Sequence, residues 1–237
     1  MDKKDTISYC LDAIKKAGAE KAACSLNMSE KKELNVEIGE MSLFRTTFNT
    51  SLGISVIKDQ KKGTTSINKI DKESIDSAIE LVMNMAEGSK PDEAYDIASK
   101  QPSQSFSKGD ESANLDNMYQ SLEGFVEYVK SSYPKIQLEA AIMDFNHTKS
   151  FFQNSNGVDF EVREGMYGFS PWFLAKDEKN TSSFNGTGFS ALKIEKPLQE
   201  YGTIDTLLRQ CVEQLQTQKV KEKFKGQIMV TPDCIGD

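Results

Sequence analysis

Few residues in this chain have types and spacings suited to chemistry, and they are scattered. A single histidine, His147, lies in Asn146-His147-Thr148. A catalytic zinc takes three protein ligands, usually several of them His or Cys, and no HExxH pair is present. A Ser-His-Asp or Cys-His relay would have to be built on that one imidazole, and no Gly-x-Ser-x-Gly elbow supports one. His147 therefore reads as a turn or surface histidine. The four cysteines (Cys10, Cys24, Cys211 and Cys234) show no CxxC spacing. Cys10 and Cys211 fall on the apolar faces of predicted helices, where a thiol acts as a small hydrophobe, so buried structural thiols are expected.

Carboxylates are more plentiful. Asp159 and Glu161, followed by Arg163-Glu164, are placed so that they share one strand pair. Two carboxylates serve as acid and base only in a dry cleft that separates their pKa values, and solvated strand faces are the expectation here. Asn185-Gly186-Thr187-Gly188-Phe189 lacks the Lys-Ser/Thr of a P-loop and the third glycine of a dinucleotide turn, so a plain loop is predicted. Acidic residues outnumber basic ones 36 to 29, a net charge of −7 that disfavours phosphate backbones. The local exception, Lys219-Val220-Lys221-Glu222-Lys223-Phe224-Lys225, reads as a solvated helix end whose cations suit the negative end of the helix dipole. This composition excludes metal-dependent and His-dependent catalysis by the chain alone. No cofactor-binding, metal-binding or catalytic residue is assigned.

The elements that would position these groups follow from periodicity. Four helical stripes are legible: Ile7, Leu11, Ile14 and Ala17 before Gly18; Ile75, Ile79, Val82 and Met85-Ala86 after Asp71; Leu115, Met118, Leu122, Phe125, Val126 and Val129 before Pro134; and Ile204, Leu207, Leu208, Cys211 and Leu215. Between the first two helices the period becomes two. Leu34, Val36 and Ile38 alternate with polar residues, Ile54 and Val56 lie in a strand covered on both sides, and a polar turn over 59–63 leads into a strand over 64–68. Between the third and fourth helices Leu138, Ala140 and Ile142 alternate. Asn156-Gly157 predicts a hairpin turn between strands over 151–154 and 158–162, and an aromatic strand over 167–175 follows. The aromatic group Phe151, Phe152, Phe160, Tyr167, Phe169, Trp172, Phe173, Phe184 and Phe189 is expected to be core, with some of it available to an interface.

The fold class predicted is α+β: antiparallel sheets with packed helices, built from a duplicated helix–strands–helix unit. Residues 1–90 form the first repeat and 114–225 the second. A Ser-, Gly- and Pro-rich mobile connector occupies 91–113, and 226–237 begin a further domain. Lys58-Asp59-Gln60-Lys61 before Thr65-Ser66-Ile67 parallels Lys176-Asp177-Glu178-Lys179 before Ser182-Ser183-Phe184, and Gly53 parallels Gly168. No apolar run reaches membrane-helix length and the N-terminus has no signal core, so a cytoplasmic protein is expected.

Three stretches, taken in order, resemble the TldD/PmbA family. They are Asn35-Val36-Glu37 through Ser42-Leu43-Phe44-Arg45 to Leu52-Gly53-Ile54-Ser55-Val56 and Gly63-Thr64-Thr65-Ser66; Phe152-Gln153-Asn154-Ser155-Asn156-Gly157; and 226–236 with Val230-Thr231-Pro232. Members of that family have been called modulators of DNA gyrase and are similar to zinc metallopeptidases. The resemblance implies an N-terminal domain, more PmbA/TldE-like than TldD-like, of a cytoplasmic heteromeric peptidase acting on unfolded or leader peptides. The zinc would belong to a TldD-like partner subunit, and this chain would supply subunit contacts and substrate enclosure. A role as a regulator of DNA gyrase, or as another binding protein without peptidase activity, is the alternative. Neither nucleic acid nor membrane is expected as a direct partner.

Overall fold

The computed structural model describes residues 3–217, 219, 222, 223 and 225–230. In chain order the elements are α1 (Lys3–Lys16), β1 (Lys21–Glu37), β2 (Glu40–Lys58), β3 (Lys61–Ile67), α2 (Lys72–Gly88), β4 (Gln104–Lys108), α3 (Leu115–Ser132), β5 (Ile136–Asn154), β6 (Asp159–Ala175), β7 (Asn185–Gly186), β8 (Phe189–Ala191) and α4 (Ile204–Glu213). Among the described residues the eight strands form one sheet, ordered β3-β2-β1-β5-β6-β4, with β7 and β8 also on β6. The fold is α+β.

Each helix forms for a local reason. α2 starts at Asp71, whose carboxylate accepts from the Ser74 amide and hydroxyl, capping the free N–H groups of the first turn. α3 is capped in the same way by Asn114, which accepts from the Asn117 amide at 3.1 Å. Residues at helical spacing are buried in each: Ile7, Cys10 and Ile14 in α1; Ile75, Ile79, Val82 and Ala86 in α2; Leu122, Phe125 and Val129 in α3; Leu208 and Cys211 in α4. Fully burying one such aliphatic side chain contributes about 1.5–3 kcal/mol.

The strands are longer than alternation alone predicts. The 158–162 and 167–175 segments are one strand, β6, and β1 and β2 run for 17 and 19 residues. Ile38 was expected on the core face of β1. It lies instead in the β1–β2 turn, with a left-handed backbone (φ 52°) and 83% exposure. The turn between β2 and β3 is made by Asp59 and Gln60, both at positive φ, the backbone of a tight hairpin. Gly63 sits where β3 presses on α2: a Cβ there would lie 2.2 Å from the Val82 carbonyl oxygen.

Two further expectations are corrected. The stretch over 91–113 is not a free connector. It carries β4, which pairs in parallel with β6 from Gln104↔Phe160 to Lys108↔Glu164, and Asp96 pairs with Lys21 at 2.7 Å. The glycine-containing stretch over 185–189 is not a plain loop, since its ends form β7 and β8, both antiparallel to β6. Over 226–230 the chain is irregular and not a strand. Residues 231–237, with Cys234 and Val230-Thr231-Pro232 beyond its first residue, lie outside the described residues, as do Val220, Lys221 and Phe224.

The chain divides into two compact units that are discontinuous in sequence, where the expected repeats were contiguous. One unit comprises 1–31, 46–112 and 146–165, and the other 32–45, 113–145 and 166–237. The first has its own core, with Ile7, Ile14, Leu26, Leu52, Ile54, Ile75, Val82 and Phe151. The core of the second holds Val36, Leu122, Phe125, Met143, Phe145, Phe169, Phe173 and Leu208. The first unit holds α1, α2, β3 and β4 with parts of β1, β2, β5 and β6, and the second holds α3, α4, β7 and β8 with the remaining parts of those four strands. Gly53 in the first faces the Ser25 side chain of the neighbouring strand, and Gly168 in the second faces that of Asp144.

Candidate functional site

The residues singled out for chemistry do not assemble into a reactive group. His147 lies on β5, half-buried; burial pushes its pKa down, with Lys149 adding to the effect, so the imidazole is neutral near pH 7. Among the described residues no three His, Cys, Asp or Glu side chains gather where they could hold a metal ion. The described residues therefore offer no cluster that fits a zinc ion. Asp159 accepts from Gln153 at 3.2 Å. Glu161 is gripped by Arg163 at 2.6 Å and by Lys4 at 3.5 Å, and the Arg163 guanidinium holds its carboxyl below the usual carboxylate range. A carboxylate kept ionised in this way is a poor proton donor at neutral pH. Glu164 pairs with Lys108 at 3.2 Å.

The aromatic group divides between roles. Phe151 belongs to one core, and Tyr167, Phe169 and Phe173 to the other, where Phe125 meets Phe169 edge-to-face at 4.9 Å. Trp172 is 51% exposed and covers Gly186, its partner across β6 and β7; a Cβ on Gly186 would lie 3.0 Å from the indole.

The Asn154-Ser155-Asn156-Gly157 turn has a clear structural purpose. The Asn154 carboxamide oxygen accepts from the amides of Asn156 and Val158, and its NH2 donates to the Ala98 carbonyl. Ser155 makes two bonds with Ala22: its amide donates to the Ala22 carbonyl, and its hydroxyl accepts from the Ala22 amide. Gly157 supplies the positive φ of 88°. The motif is thus a pinned turn and not a reactive loop.

Sequence reasoning missed the most distinctive surface, on the first part of β2. Pairing of β2 with β3 starts only at Leu52↔Ile67, so among the described residues the outer edge of β2 over 40–51 has no strand beside it. Both faces of this stretch carry exposed apolar side chains. Within the second unit, Leu34, Met41, Leu43 and Phe44 line an open groove of about 470 Å³ with Leu115, Asp116 and Tyr119 of α3. Phe44 is 54% exposed. Arg45, the single charge over 41–45, points its guanidinium at Glu33, a carboxylate 3% exposed, at 2.8 Å. Natural sheets usually protect an open edge with Lys, Pro or a bulge. Here the one cation is committed to a buried partner, so the edge offers bare N–H and C=O groups beside an apolar groove. The groove has the polar side chains of Ser42, Asp116 and Tyr119. Its chemistry is that of binding an extended segment, whose backbone would extend the sheet while alternate side chains enter the groove. The signal was present in the sequence as Met41-Ser42-Leu43-Phe44, but that run reads equally well as a core strand.

Residues 22–86 match the family model described as PmbA/TldA metallopeptidase domain 1. Solved structures share the fold. TldE from Thermococcus kodakarensis is 16% identical with a TM-score of 0.64, over 90% of this chain and 46% of that one. A proposed modulator of DNA gyrase from Bacteroides thetaiotaomicron is 17% identical with a TM-score of 0.71, over 93% and 52%. A second proposed modulator, from Thermotoga maritima, is 12% identical with a TM-score of 0.59, over 90% and 47%. The chain spans about half the length of these structures. No match is found among curated proteins.

Proposed function

We propose that this chain, carrying a first domain of the PmbA/TldA type, is the N-terminal, non-catalytic domain of a TldD/PmbA-type peptidase complex of the cytoplasm. The complex degrades or processes unfolded or leader peptides. A TldD-like partner subunit holds the zinc, and this chain, of the PmbA/TldE kind, contributes subunit contacts and helps enclose the substrate. The observation that carries this reading is the family match over 22–86. The open β2 edge and its groove support it, because they suit the capture of an extended, partly apolar chain.

The test is to co-express the full gene product with a zinc-bearing subunit of the same family, purify the pair and follow cleavage of a casein-like unfolded peptide. Copurification with cleavage that a chelator abolishes is the expected result. An unassociated protein and an intact peptide would overturn the reading. The names of two fold relatives favour a second reading, a regulator of DNA gyrase. That reading expects a change in gyrase supercoiling on addition of the protein. The charge of −7 means that any such effect would come from contact with the enzyme and not with DNA.

A further inference from the structure

We propose that Cys10 and Cys24 form a modification site, a latent disulfide that closes between helix α1 and strand β1 under oxidising conditions and locks the helix onto the sheet. The two sulfurs are 3.5 Å apart, with the Cys24 thiol donating to the Cys10 sulfur. Both are free thiols, 0% and 1% exposed, in the same core as Ile7, Ile14 and Leu26. A disulfide bond is about 2.05 Å long, so closure asks the sulfurs to approach by about 1.5 Å. The position is set by two independent periodicities. Cys10 belongs to the buried stripe of α1 with Ile7 and Ile14, and Cys24 to the inward face of β1 with Ala22 and Leu26. The third described thiol, Cys211, is engaged elsewhere by the Ser182 hydroxyl at 3.3 Å and the Asn185 amide at 3.2 Å.

The oxidant is a peroxide. One sulfur attacks a peroxide oxygen, the O–O bond breaks, and a sulfenic acid and one water result once the thiol proton has been passed on. The second sulfur then attacks the sulfenyl sulfur, the S–S bond forms, and the hydroxyl leaves with the second thiol proton as another water. Two thiols thus give up two electrons and two protons, and one O–O bond takes them up. Reduction by an external thiol reverses the change.

Access is controlled by α1. The helix is fastened at its middle by Tyr9, whose hydroxyl donates to Asp76 and whose ring lies under the Lys72 ammonium at 5.2 Å, and near its start by Lys4 on Glu161. The bond to Cys10, together with burial, pushes the Cys24 thiol well above its usual pKa, so the packed pair contains little of the reactive thiolate. Oxidation therefore proceeds when α1 lifts, and closure of the pair then resists further lifting by tying together positions 10 and 24.

The experiment treats the 237-residue protein with hydrogen peroxide, natively and in urea below the unfolding transition, blocks remaining thiols with iodoacetamide under denaturing conditions, and maps peptides without reduction. The expected product is a Cys10–Cys24 cross-link, formed several-fold faster in urea and in the Tyr9→Phe variant. Cys211 and Cys234 stay outside the link. The Tm should rise by about 5–10 °C, as expected for a short closed loop in a chain of this size, and return on adding dithiothreitol. Cys24→Ala should keep the native circular dichroism spectrum and lose both the link and the Tm rise. Recovery of Cys10 and Cys24 as separate alkylated or over-oxidised residues in both conditions would overturn the proposal, as would linkage of either to Cys211 or Cys234. None of these readouts depends on peptidase activity or on a partner subunit.

Discussion

Asn154 shows how one side chain decides a turn. It is 4% exposed, and its carboxamide closes the turn through two accepted bonds while reaching the Ala98 carbonyl with its NH2. Asn154→Ala would leave the Asn156 and Val158 amides unmatched and the Ala98 carbonyl with the Asn156 carboxamide as its donor, at a cost of about 2–4 kcal/mol, readable as a lower denaturation midpoint in urea. His147 provides a second test at this scale. Its pKa is lowered in the folded state, so between the unfolded value of about 6.5 and the folded value the unfolded chain binds more protons. The stability contributed by the neutral imidazole is thus present above pH 6.5 and is lost as the pH falls below it. The Tm of the native protein should drop from pH 7.5 to 5.5 by more than that of His147→Gln. Equal drops would mean that burial does not disfavour the imidazolium.

Among the elements, β2 and α3 make opposite demands on their aromatic residues. Phe125 on α3 is 1% exposed and packs against Phe169, so Phe125→Ala should cost about 3–5 kcal/mol by chemical denaturation. Phe44 on the open part of β2 has little of the core to lose. Phe44→Glu should leave stability within about 0.5 kcal/mol of the parent, since surface changes away from special features have small effects. It should nevertheless weaken capture of a fluorescent casein-like peptide at least tenfold if the groove takes extended chains. Unchanged capture would remove the β2 edge from the proposed function and leave the family match standing.

On the scale of the whole molecule, the division of the chain matters more than its length. Four of the five boundaries between the two units fall inside β1, β2, β5 and β6, so each unit draws strand segments from both halves of the sequence. The first unit needs Phe151 in its core and the Ser155 contacts to Ala22, both of which come from beyond α3. A fragment of residues 1–113 should therefore fail to unfold cooperatively, as followed by circular dichroism, whereas a protein built from sequential domains would yield a folded half. Among the described residues no helix is long and apolar enough to cross a membrane.

The sequence by itself determined the four helices, the α+β class and the hairpin turn at Asn156-Gly157, because each is dictated by spacing within a short window. Ile7 and Ile14 share a helix face whatever packs on them, Asp71 caps α2 through neighbours three residues away, and Asn-Ser-Asn-Gly closes a hairpin locally. Alternation also placed Ile54 and Val56 inward, but it could not show that two predicted strands join as β6, nor that β4 would add in parallel to it. Those outcomes depend on partners more than 50 residues away, which no local pattern encodes. The candidate site belongs to the same class. Met41, Leu43 and Phe44 carry the pattern of a core strand, and only the sheet order, in which β3 ends opposite Leu52, leaves them exposed. The thiol pair was likewise hidden, since the burial of Cys10 follows from its helix stripe but its approach to Cys24 follows from how α1 lies on β1. Short-range periodicity decides which face of an element is apolar, and the pairing of distant elements decides which of those faces remains uncovered.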